Sequence, residues 1–310
     1  MDVLSDAVAA MRTGLPHSSR RDEYAPWGMR FEASEGAGFH VVLRGSAWLV
    51  PAEGEPLALG PGDVAFLPHG RGHALLSAPE VEPEEVRLGP DGRWPQPSSP
   101  VREPSAGAPD TVLLCGAYLL DRSRAHPLLT GLPEVVHLPA TIGAHRSLRA
   151  AVDLLGAELE EARPGADTIV TSLLDTLLLY ILRAWWEREG QGGAGQPTGW
   201  AAALADPAVA AALRAMHGDP AHPWTVGELG ARGGLSRAAF ARRFTALVGE
   251  PPLAYLTWWR MTTAGRLLRA DDLPLRTVAR HTGYASEFAF AKAFKRAYGV
   301  PPGRYRRRSS

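Results

Sequence analysis

The 310-residue chain has little cysteine and little lysine: one Cys, at position 115, and two Lys. A single cysteine excludes an internal disulfide, which fits a reducing cytoplasm. No apolar run reaches the roughly 18 residues that a membrane span needs. The nearest run, residues 168–186, is interrupted by Asp175 and Arg183, so it is interpreted as a buried helix. Acidic residues stand where a secretory signal needs basic ones, and we predict a cytoplasmic protein without a membrane partner.

The chain also lacks the short motifs of common catalytic sites, with no G-x-S-x-G, P-loop, H-E-x-x-H or C-x-x-C pattern. Residues 190–195 match the letters of a dinucleotide-binding fingerprint, but they follow a predicted helix and not a strand. A Gly-rich run in that context is typical of a flexible linker. We therefore predict that the chain is not an enzyme and that residues 190–199 link two domains.

Charge is divided unevenly along the chain. Residues 1–200 carry 16 Arg and no Lys against 26 acidic residues, a net charge of −10. Residues 201–310 carry 17 basic residues against 7 acidic ones, a net charge of +10. This asymmetry indicates a C-terminal domain that meets phosphates and an N-terminal domain that does not.

One pattern occurs twice in the basic half: a Gly, then Phe-x3-Phe, then Gly-x-Pro-Pro. Each copy predicts a short helix, a left-handed turn at the Gly, and a second helix that buries both Phe on one face. Residues 253–269, between the copies, predict one longer helix. The repeated positions are Gly234, Phe240, Phe244 and Gly249 in the first copy, and Gly283, Phe290, Phe294 and Gly299 in the second.

This double unit resembles the DNA-binding domain of AraC/XylS-family transcription regulators over about residues 207–305. The resemblance implies sequence-specific binding to double-stranded DNA, and RNA polymerase as a further partner. With the Phe pairs inward, matched positions place Ala238, Ala241 and Arg242 at the bases, although Arg242 also fits a solvated helix face. Glu287 can accept from cytosine, and Phe288 can pack on a thymine methyl or belong to the core. The predicted DNA-contacting residues are Ser236, Arg237, Ala238, Ala241, Arg242, Arg243, Ser286, Glu287, Phe288, Ala289, Ala291, Lys292, Lys295 and Arg296.

The acidic half reads as a short helix over residues 2–12, followed by nine short β-like runs between residues 27 and 138. Many short strands at close spacing favour a sandwich or barrel. The pattern Gly62-x5-Pro68-x-Gly70-x2-His73 resembles the second motif of cupin barrels, and residues 39–45 resemble part of the first. Residues 89–110, which hold six Pro, predict a long surface loop.

The two cupin-like motifs bring His40 and His73 into one predicted site. Enzymatic cupins use an H-x-H pair and a Glu as metal ligands, and this chain lacks the second His and the Glu. Cys115 offers a third ligand for zinc or another divalent metal. The alternative that we favour over metal is a pocket for a small polar effector, walled by Trp27, Trp48 and Phe66. A third interpretation leaves both His as hydrogen-bonded barrel residues, and no cofactor is certain.

Residues 145–162 and 167–189 predict two further helices. The apolar residues of the second are too many for one face, so it contacts the barrel and a second surface. The family resemblance implies the same helix of a second subunit, and an intrachain cap is the alternative. If a homodimer forms there, charges at Leu174 and Leu178 should give a folded monomer.

These observations predict a multidomain α+β protein: an N-terminal cupin β-barrel with a helical pair, then an all-α domain with two helix-turn-helix units joined by a long helix. The predicted domains are a cupin-like sensor (1–140), a dimerisation pair (141–189), a linker (190–199) and a DNA-binding domain (200–310). The predicted function is transcription regulation controlled by a small molecule or metal in the cupin domain. The alternatives are a cupin metalloenzyme fused to a DNA-binding domain and a ligand-free architectural DNA binder.

Overall fold

A computed structural model describes residues 2–34, 36–86, 108–120, 126–141, 144–161, 163–192, 199–270 and 272–309. The chain forms two compact units. The sheet unit comprises residues 14–120 and 132–189, and the helical unit comprises residues 1–13, 121–131 and 190–310. Most of the predicted loop at residues 89–110, and most of the predicted linker at 190–199, lie outside the described residues.

The described residues form ten strands and twelve helices. The strands are β1 (His17–Glu23), β2 (Gly28–Phe31), β3 (Ala37–Arg44), β4 (Ala47–Pro51), β5 (Leu57–Leu59), β6 (Val64–Leu67), β7 (His73–Leu76), β8 (Glu84–Val86), β9 (Thr111–Tyr118) and β10 (Val136–Leu138). The helices are α1 (Val3–Met11), α2 (Pro127–Thr130), α3 (Arg146–Glu161), α4 (Ala166–Gly192), α5 (Gly199–Ala205), α6 (Pro207–Gly218), α7 (Val226–Arg232), α8 (Arg237–Val248), α9 (Pro252–Ala270), α10 (Leu275–His281), α11 (Glu287–Tyr298) and α12 (Pro302–Ser309).

The sheet unit is built from two five-stranded sheets with the orders β1-β9-β3-β6-β10 and β5-β4-β7-β2-β8. Neighbouring strands are antiparallel, except that β2 and β8 run parallel. One core cluster takes side chains from both sheets, among them Val42, Leu49, Leu75 and Leu113, all fully buried. Strands of both sheets therefore contribute residues to a shared interior, as expected for a β-rich cupin-like domain.

The predicted strands from residue 27 onward are confirmed, but β1 was missed. Its sequence, HSSRRDE, has no apolar alternation and resembles a loop. The strand forms because it lies at a sheet edge, where β9 pairs with all seven of its residues, from His17↔Ala117 to Glu23↔Thr111. A tertiary partner has overridden the local propensity here.

Helices α3 and α4 complete the sheet unit, and both were predicted. The inner face of α4 buries Leu174, Leu177, Leu178 and Ile181 completely or nearly so. The Tyr118 hydroxyl of β9 donates a hydrogen bond to the Leu174 carbonyl at 2.9 Å. By length and composition alone, residues 166–188 could cross a membrane, with a mean hydropathy of 1.4 in the most apolar window. The inner leucines are buried as predicted for a buried helix, but only 33% of that window is buried, so the prediction holds for one face of α4.

The helical unit differs from the sequence-based division in one respect. Residues 1–140 were predicted to form one domain, but α1 and α2 belong to the helical unit. Helix α1 packs against α6 and α9, and α2 packs against α5. The reason is that the periodicity of an amphipathic helix shows which face is apolar and must be buried, but it does not show which part of the protein buries that face.

Candidate DNA-binding surface and sensor pocket

The two sequence copies have the same backbone geometry in the helical unit. Gly234 and Gly283 turn the chain between the paired helices with φ of 69° and 77°, the left-handed region that favours glycine. In the first copy the Leu235 amide donates to the Gly230 carbonyl at 3.0 Å, and in the second Tyr284 donates to Ala279 at 2.9 Å. The pattern read from the sequence thus corresponds to two equivalent turns.

A small residue is required where the two helices of each pair touch. A Cβ added at Gly230 would lie 3.0 Å from the Phe240 Cβ and 3.0 Å from the Leu235 carbonyl oxygen. The second copy has Ala279 at this place, 1% exposed. This close approach lets the second helix of each pair bury its aromatic face.

Helices α8 and α11 are bounded by matching caps. The hydroxyls of Ser236 and Ser286 accept from the amides of Ala239 and Ala289, at 3.4 and 3.1 Å. Each helix ends at a glycine in the left-handed conformation, Gly249 for α8 and Gly299 for α11. The repeated Phe pairs, Phe240 with Phe244 and Phe290 with Phe294, are 0% exposed, which fixes the opposite faces outward.

The outward faces carry most of the predicted DNA-contacting residues. Ala241 and Ala291 are partly buried, and the other twelve are exposed. Phe288 is 82% exposed, so of the two interpretations left open by the sequence, burial in the core is wrong.

Arg243 is committed to a contact within the protein. Its guanidinium pairs with a carboxylate oxygen of Asp206. The other oxygen of Asp206 caps α6 by accepting from the amides of Ala208 and Val209, at 3.0 and 2.9 Å. The Arg243 side chain remains 56% exposed, so a face of it is still accessible.

In the sheet unit, His40 of β3 and His73 of β7 meet across the two sheets, with their Nε2 atoms 2.7 Å apart. Phe31 stacks on His73 with ring centroids 4.8 Å apart and lies 5.2 Å from His40. The histidines line a small, partly open pocket with a cavity volume of about 20 Å³, room for about one water molecule. Its other polar lining residues are Ser19, Arg21, Glu32, Ser34, Arg71 and Cys115.

The tautomers of the histidine pair follow from their partners. The His73 Nδ1 lies 3.3 Å from the Arg71 carbonyl, which can only accept, so this nitrogen carries the proton. In a neutral His73, Nε2 then accepts, and His40 must donate from its own Nε2. The His40 Nδ1 is left as a buried acceptor without a hydrogen-bond partner in the described part of the chain. Burial lowers the pKa of His73 to about 4 and lowers that of His40 well below its usual value, with smaller contributions from His73 and Arg21.

Both domains match known families along almost the whole chain. Residues 2–187 match the cupin family, and residues 229–308 match a helix-turn-helix domain family. An AraC-like transcription regulator of Streptomyces lividans is 37% identical over 99% of this chain and 98% of its own length. The chain belongs to the AraC family of transcription regulators.

A second full-length relative supports this assignment, and one solved domain is similar to part of the chain. An AraC-like regulator of Streptomyces antibioticus is 36% identical over 99% of both chains. The DNA-binding domain of AdpA, solved in complex with a target DNA, is 34% identical over 33% of this chain and 92% of that domain, with a TM-score of 0.31. The relatives that match the full chain are transcription regulators, so this AraC-family protein is a regulator and not an enzyme, and the metalloenzyme alternative is not favoured.

The three predicted metal ligands, His40, His73 and Cys115, are not arranged as a metal site in the described part of the sheet unit. Two imidazoles on one tetrahedral zinc ion, at about 2.0–2.1 Å each, would hold their nitrogens about 3.3 Å apart, wider than the 2.7 Å observed. Burial raises the pKa of the Cys115 thiol to about 12, which disfavours the thiolate that a metal needs. Among the described residues, no group of three His, Cys, Asp or Glu side chains could hold an ion.

The pocket walls differ from the predicted ones. Its lining does not include Trp27, Trp48 or Phe66. Phe66 points to the opposite face of β6 from Leu67, because side chains alternate along a strand, and it packs near Tyr118 instead. Trp27 lies in the core between the sheets, and Trp48 lies on β4.

Sequence reasoning missed Phe31, the aromatic wall, and the two pocket residues of β1, Ser19 and Arg21. Alternation along β2 could have indicated Phe31, which is two residues from Met29 on the same strand face. No local signal could have indicated the β1 residues, since β1 itself has no strand pattern.

Proposed function

We propose that α8 and α11 are the recognition helices of two helix-turn-helix units that enter successive major-groove faces of one DNA duplex. The observation that carries the proposal is the repeated geometry, in which each copy turns at a left-handed glycine, buries two Phe and turns a polar face outward. Helix α9 joins the copies with 19 residues. At about 1.5 Å per residue it spans roughly 29 Å, close to the ~34 Å between successive groove faces.

Base recognition is assigned to exposed positions of both helices. Arg242 has the strongest capacity for hydrogen bonding to a base, because a guanidinium can donate two parallel hydrogen bonds to guanine. Glu287 at the start of α11 can accept from a cytosine amino group, and exposed Phe288 can cover a thymine methyl. Ala238 and Ala241 leave room for close approach of α8 to the base edges.

Phosphate contacts are assigned to the exposed cations around these positions. Arg237, Lys292, Lys295 and Arg296 lie on α8 and α11 without an ion pair to any described carboxylate within 4 Å. They contribute to the net charge of +10 in residues 201–310. Such contacts supply affinity that is independent of sequence and sensitive to salt.

The sheet unit is the sensor in this proposal. The pocket combines the unpartnered Nδ1 of His40 with the cations Arg21 and Arg71, the carboxylate Glu32 and an apolar wall at Phe31. We assign this polar lining to a small polar effector in preference to a metal. We further propose that the regulator works in the cytoplasm, where it acts on RNA polymerase at promoters.

A homodimer through the outer face of α4 is also proposed. Ile169 is 43% exposed, and Leu173, Thr176 and Tyr180 follow it at the spacing of one helix face, each only partly buried. Leu154 of α3 is 59% exposed. The earlier choice of Leu174 and Leu178 as dimer contacts is wrong, because both are buried inside their own unit, so charges there should unfold it.

The test begins with selection of a binding site from a random DNA library, followed by affinity measurements on that site and on a scrambled duplex over a range of salt concentrations. Arg242→Ala should cost about 1–3 kcal/mol on the site, relax one base position and change scrambled binding little. Lys295→Ala should weaken both duplexes alike and flatten the salt slope by about one unit.

Arg214→Ala is the matched control, since it removes the same charge as Arg242→Ala from an exposed position on α6. It should leave base preference unchanged. Equal losses on the selected and scrambled duplexes for Arg242→Ala would contradict its assignment to a base. Absence of any preferred site in the library would contradict the proposal as a whole.

A further inference from the structure

Helix α9 packs against the first helix-turn-helix unit (α7 and α8) with its N-terminal half and against the second unit (α10 and α11) with its C-terminal half. In the N-terminal half, the ring centroid of Tyr255 lies 5.9 Å from that of Phe244 on α8, and Trp259 stacks on His217 of α6 at 3.7 Å. The residues of α9 that are buried in the core of the second unit are Met261, Ala264 and Leu268. Helix α9 thus passes from one core to the other near residue 260.

The crossing point is a place where α9 can bend. The Thr262 hydroxyl donates a hydrogen bond to the Trp258 carbonyl at 3.0 Å. A hydroxyl that bonds to the carbonyl four residues earlier competes with the main-chain hydrogen bonds of a helix and often bends it. A bend here would tilt one helix-turn-helix unit relative to the other, because each unit packs on its own half of α9.

Arg260, at this crossing point, is half-buried under the loop that precedes α7. Its Nε donates to the Pro220 carbonyl at 2.7 Å, and its Nη2 donates to the His222 carbonyl at 2.9 Å. Partial burial lowers the pKa of the guanidinium, while the nearby Tyr284 and Asp219 act in the opposite direction. Because the guanidinium is a planar fork of donors, it holds the two carbonyls in one fixed arrangement.

The loop that Arg260 holds, residues 219–224, is itself fixed to the first unit. The His222 Nε2 lies 2.9 Å from a carboxylate oxygen of Glu228 on α7. The Arg232 guanidinium, at the end of α7, lies 4.6 Å from the centre of the Trp224 ring. These contacts make the loop move with α7.

The turn of the second unit meets Arg260 and the same loop. A Cβ added at Gly283 would lie 2.8 Å from the Arg260 Nη2 and 2.9 Å from the Ala221 carbonyl oxygen. At Gly234, the equivalent residue of the first unit, such a Cβ would meet no described atom within 4 Å. The close approach at Gly283 is therefore a property of this junction and not of the repeated turn.

We propose that Arg260 is a positioning residue that locks the angle between the two helix-turn-helix units, so that the protein accepts one spacing between its two DNA subsites. Arg260 joins α9, the loop that moves with α7, and the turn of the second unit. Bending of α9 must break the two hydrogen bonds of Arg260 or open the contact at Gly283. The inference rests on the proposed function, since it requires that both units bind one duplex.

Duplexes of altered spacing test this inference in the full-length protein. One base pair is inserted or deleted between the two subsites of the site selected from the random library, which moves one subsite by about 3.4 Å along the duplex and about 35° around it. Wild-type protein should bind the altered duplexes about 100-fold more weakly or worse, because several base contacts are lost together. Arg260→Met, which keeps a long side chain without the donors, should reduce that difference to about tenfold or less.

The ratio of affinities for the two spacings separates positioning from other effects. Loss of a positive charge, or of part of the folded protein, weakens binding to both spacings alike and leaves the ratio unchanged. Single-base substitutions within either subsite should cost Arg260→Met as much as they cost wild type, since each unit keeps its own recognition helix.

The sequence repeat supplies a matched control pair. Gly283→Ala pushes a methyl group against Arg260 and Ala221, so it should also relax the spacing preference. Gly234→Ala places the same residue at a similar left-handed φ, 69° against 77°, but in open space, and should keep the wild-type ratio.

The inference is overturned if Arg260→Met, with a cooperative melting transition of the helical unit, keeps the wild-type ratio. If that variant does not fold, equal ratios for Gly283→Ala and Gly234→Ala overturn it. A wild-type protein that selects no two-part site counts against the proposed function instead. Hydrogen exchange then tests the lock alone: Arg260→Met should raise exchange in residues 219–224 and 282–285 about tenfold, and unchanged exchange there overturns the inference.

Discussion

The histidine pair should make the stability of the sheet unit depend on pH. Burial lowers the pKa of His73 to about 4 and depresses the pKa of His40 as well. In the unfolded chain a histidine titrates near pH 6.5. Between about pH 4 and 6.5 the unfolded state therefore binds more protons than the folded state, so stability falls as the pH falls through that window.

The size of the effect follows from the shift of His73. The pKa of His73 is about 2.5 units lower in the folded state than in the unfolded state. At about 1.36 kcal/mol for each unit, full protonation of the histidine in acid removes at most about 3.4 kcal/mol of folding stability. Because titration is incomplete at milder pH, lowering the pH from about 7.5 to about 5 should cost about 2 kcal/mol through His73. His40 adds to this loss with the same sign, since its pKa is lowered in the folded state.

The measurement is hydrogen exchange of the β3 and β7 amides across this pH range, corrected for the intrinsic rate at each pH. Exchange at these strands separates the sheet unit from the helical unit, where burial also lowers the pKa values of His126 and His217. His73→Gln should flatten the pH dependence by about 2 kcal/mol between about pH 7.5 and 5.

Leu75→Ala is the matched control on the same strand. Leu75 is fully buried and does not titrate, so its truncation should cost about 2–5 kcal/mol equally at every pH. If wild type and His73→Gln lose stability in parallel on acidification, the assignment of the pH dependence to this pair is refuted.

Three further predictions concern other parts of the molecule. The double variant Ile169→Asp with Tyr180→Asp should sediment as a folded monomer, whereas Leu178→Asp should unfold the sheet unit. Wild-type protein that sediments as a monomer at tens of micromolar, well above a dimer Kd of ~1 μM, would rule the interface out. Gly283→Ala should destabilise the helical unit more than Gly234→Ala in urea denaturation, because its Cβ would meet Arg260 and Ala221 within 3 Å while Gly234 faces open space; equal losses contradict this. Tyr255→Phe removes the hydroxyl that hydrogen-bonds to the Nε2 atoms of His126 and His217. The helical unit should lose about 1–3 kcal/mol of stability, and the melting of the sheet unit, which serves as the internal control, should not change.

The sequence alone predicted those elements whose patterns are local. The repeated glycines and Phe pairs located both helix pairs and their outward faces, because a left-handed turn and an i, i+4 aromatic pair leave few alternatives. Short β-like runs separated by turn residues located β2 to β10 in the same way. The charge difference between the two halves of the chain followed from counting the charged residues in each half.

Only the tertiary structure shows which element packs against the apolar face of another element. Strand β1 exists because β9 pairs with it, and α1 belongs to the helical unit because α6 and α9 cover its apolar face. Leu178 is in the core although its helical periodicity also fits a dimer face, and Phe66 faces away from the pocket although its type suits a wall. A sequence pattern determines which face of an element is apolar, and only the packed chain determines what that face meets.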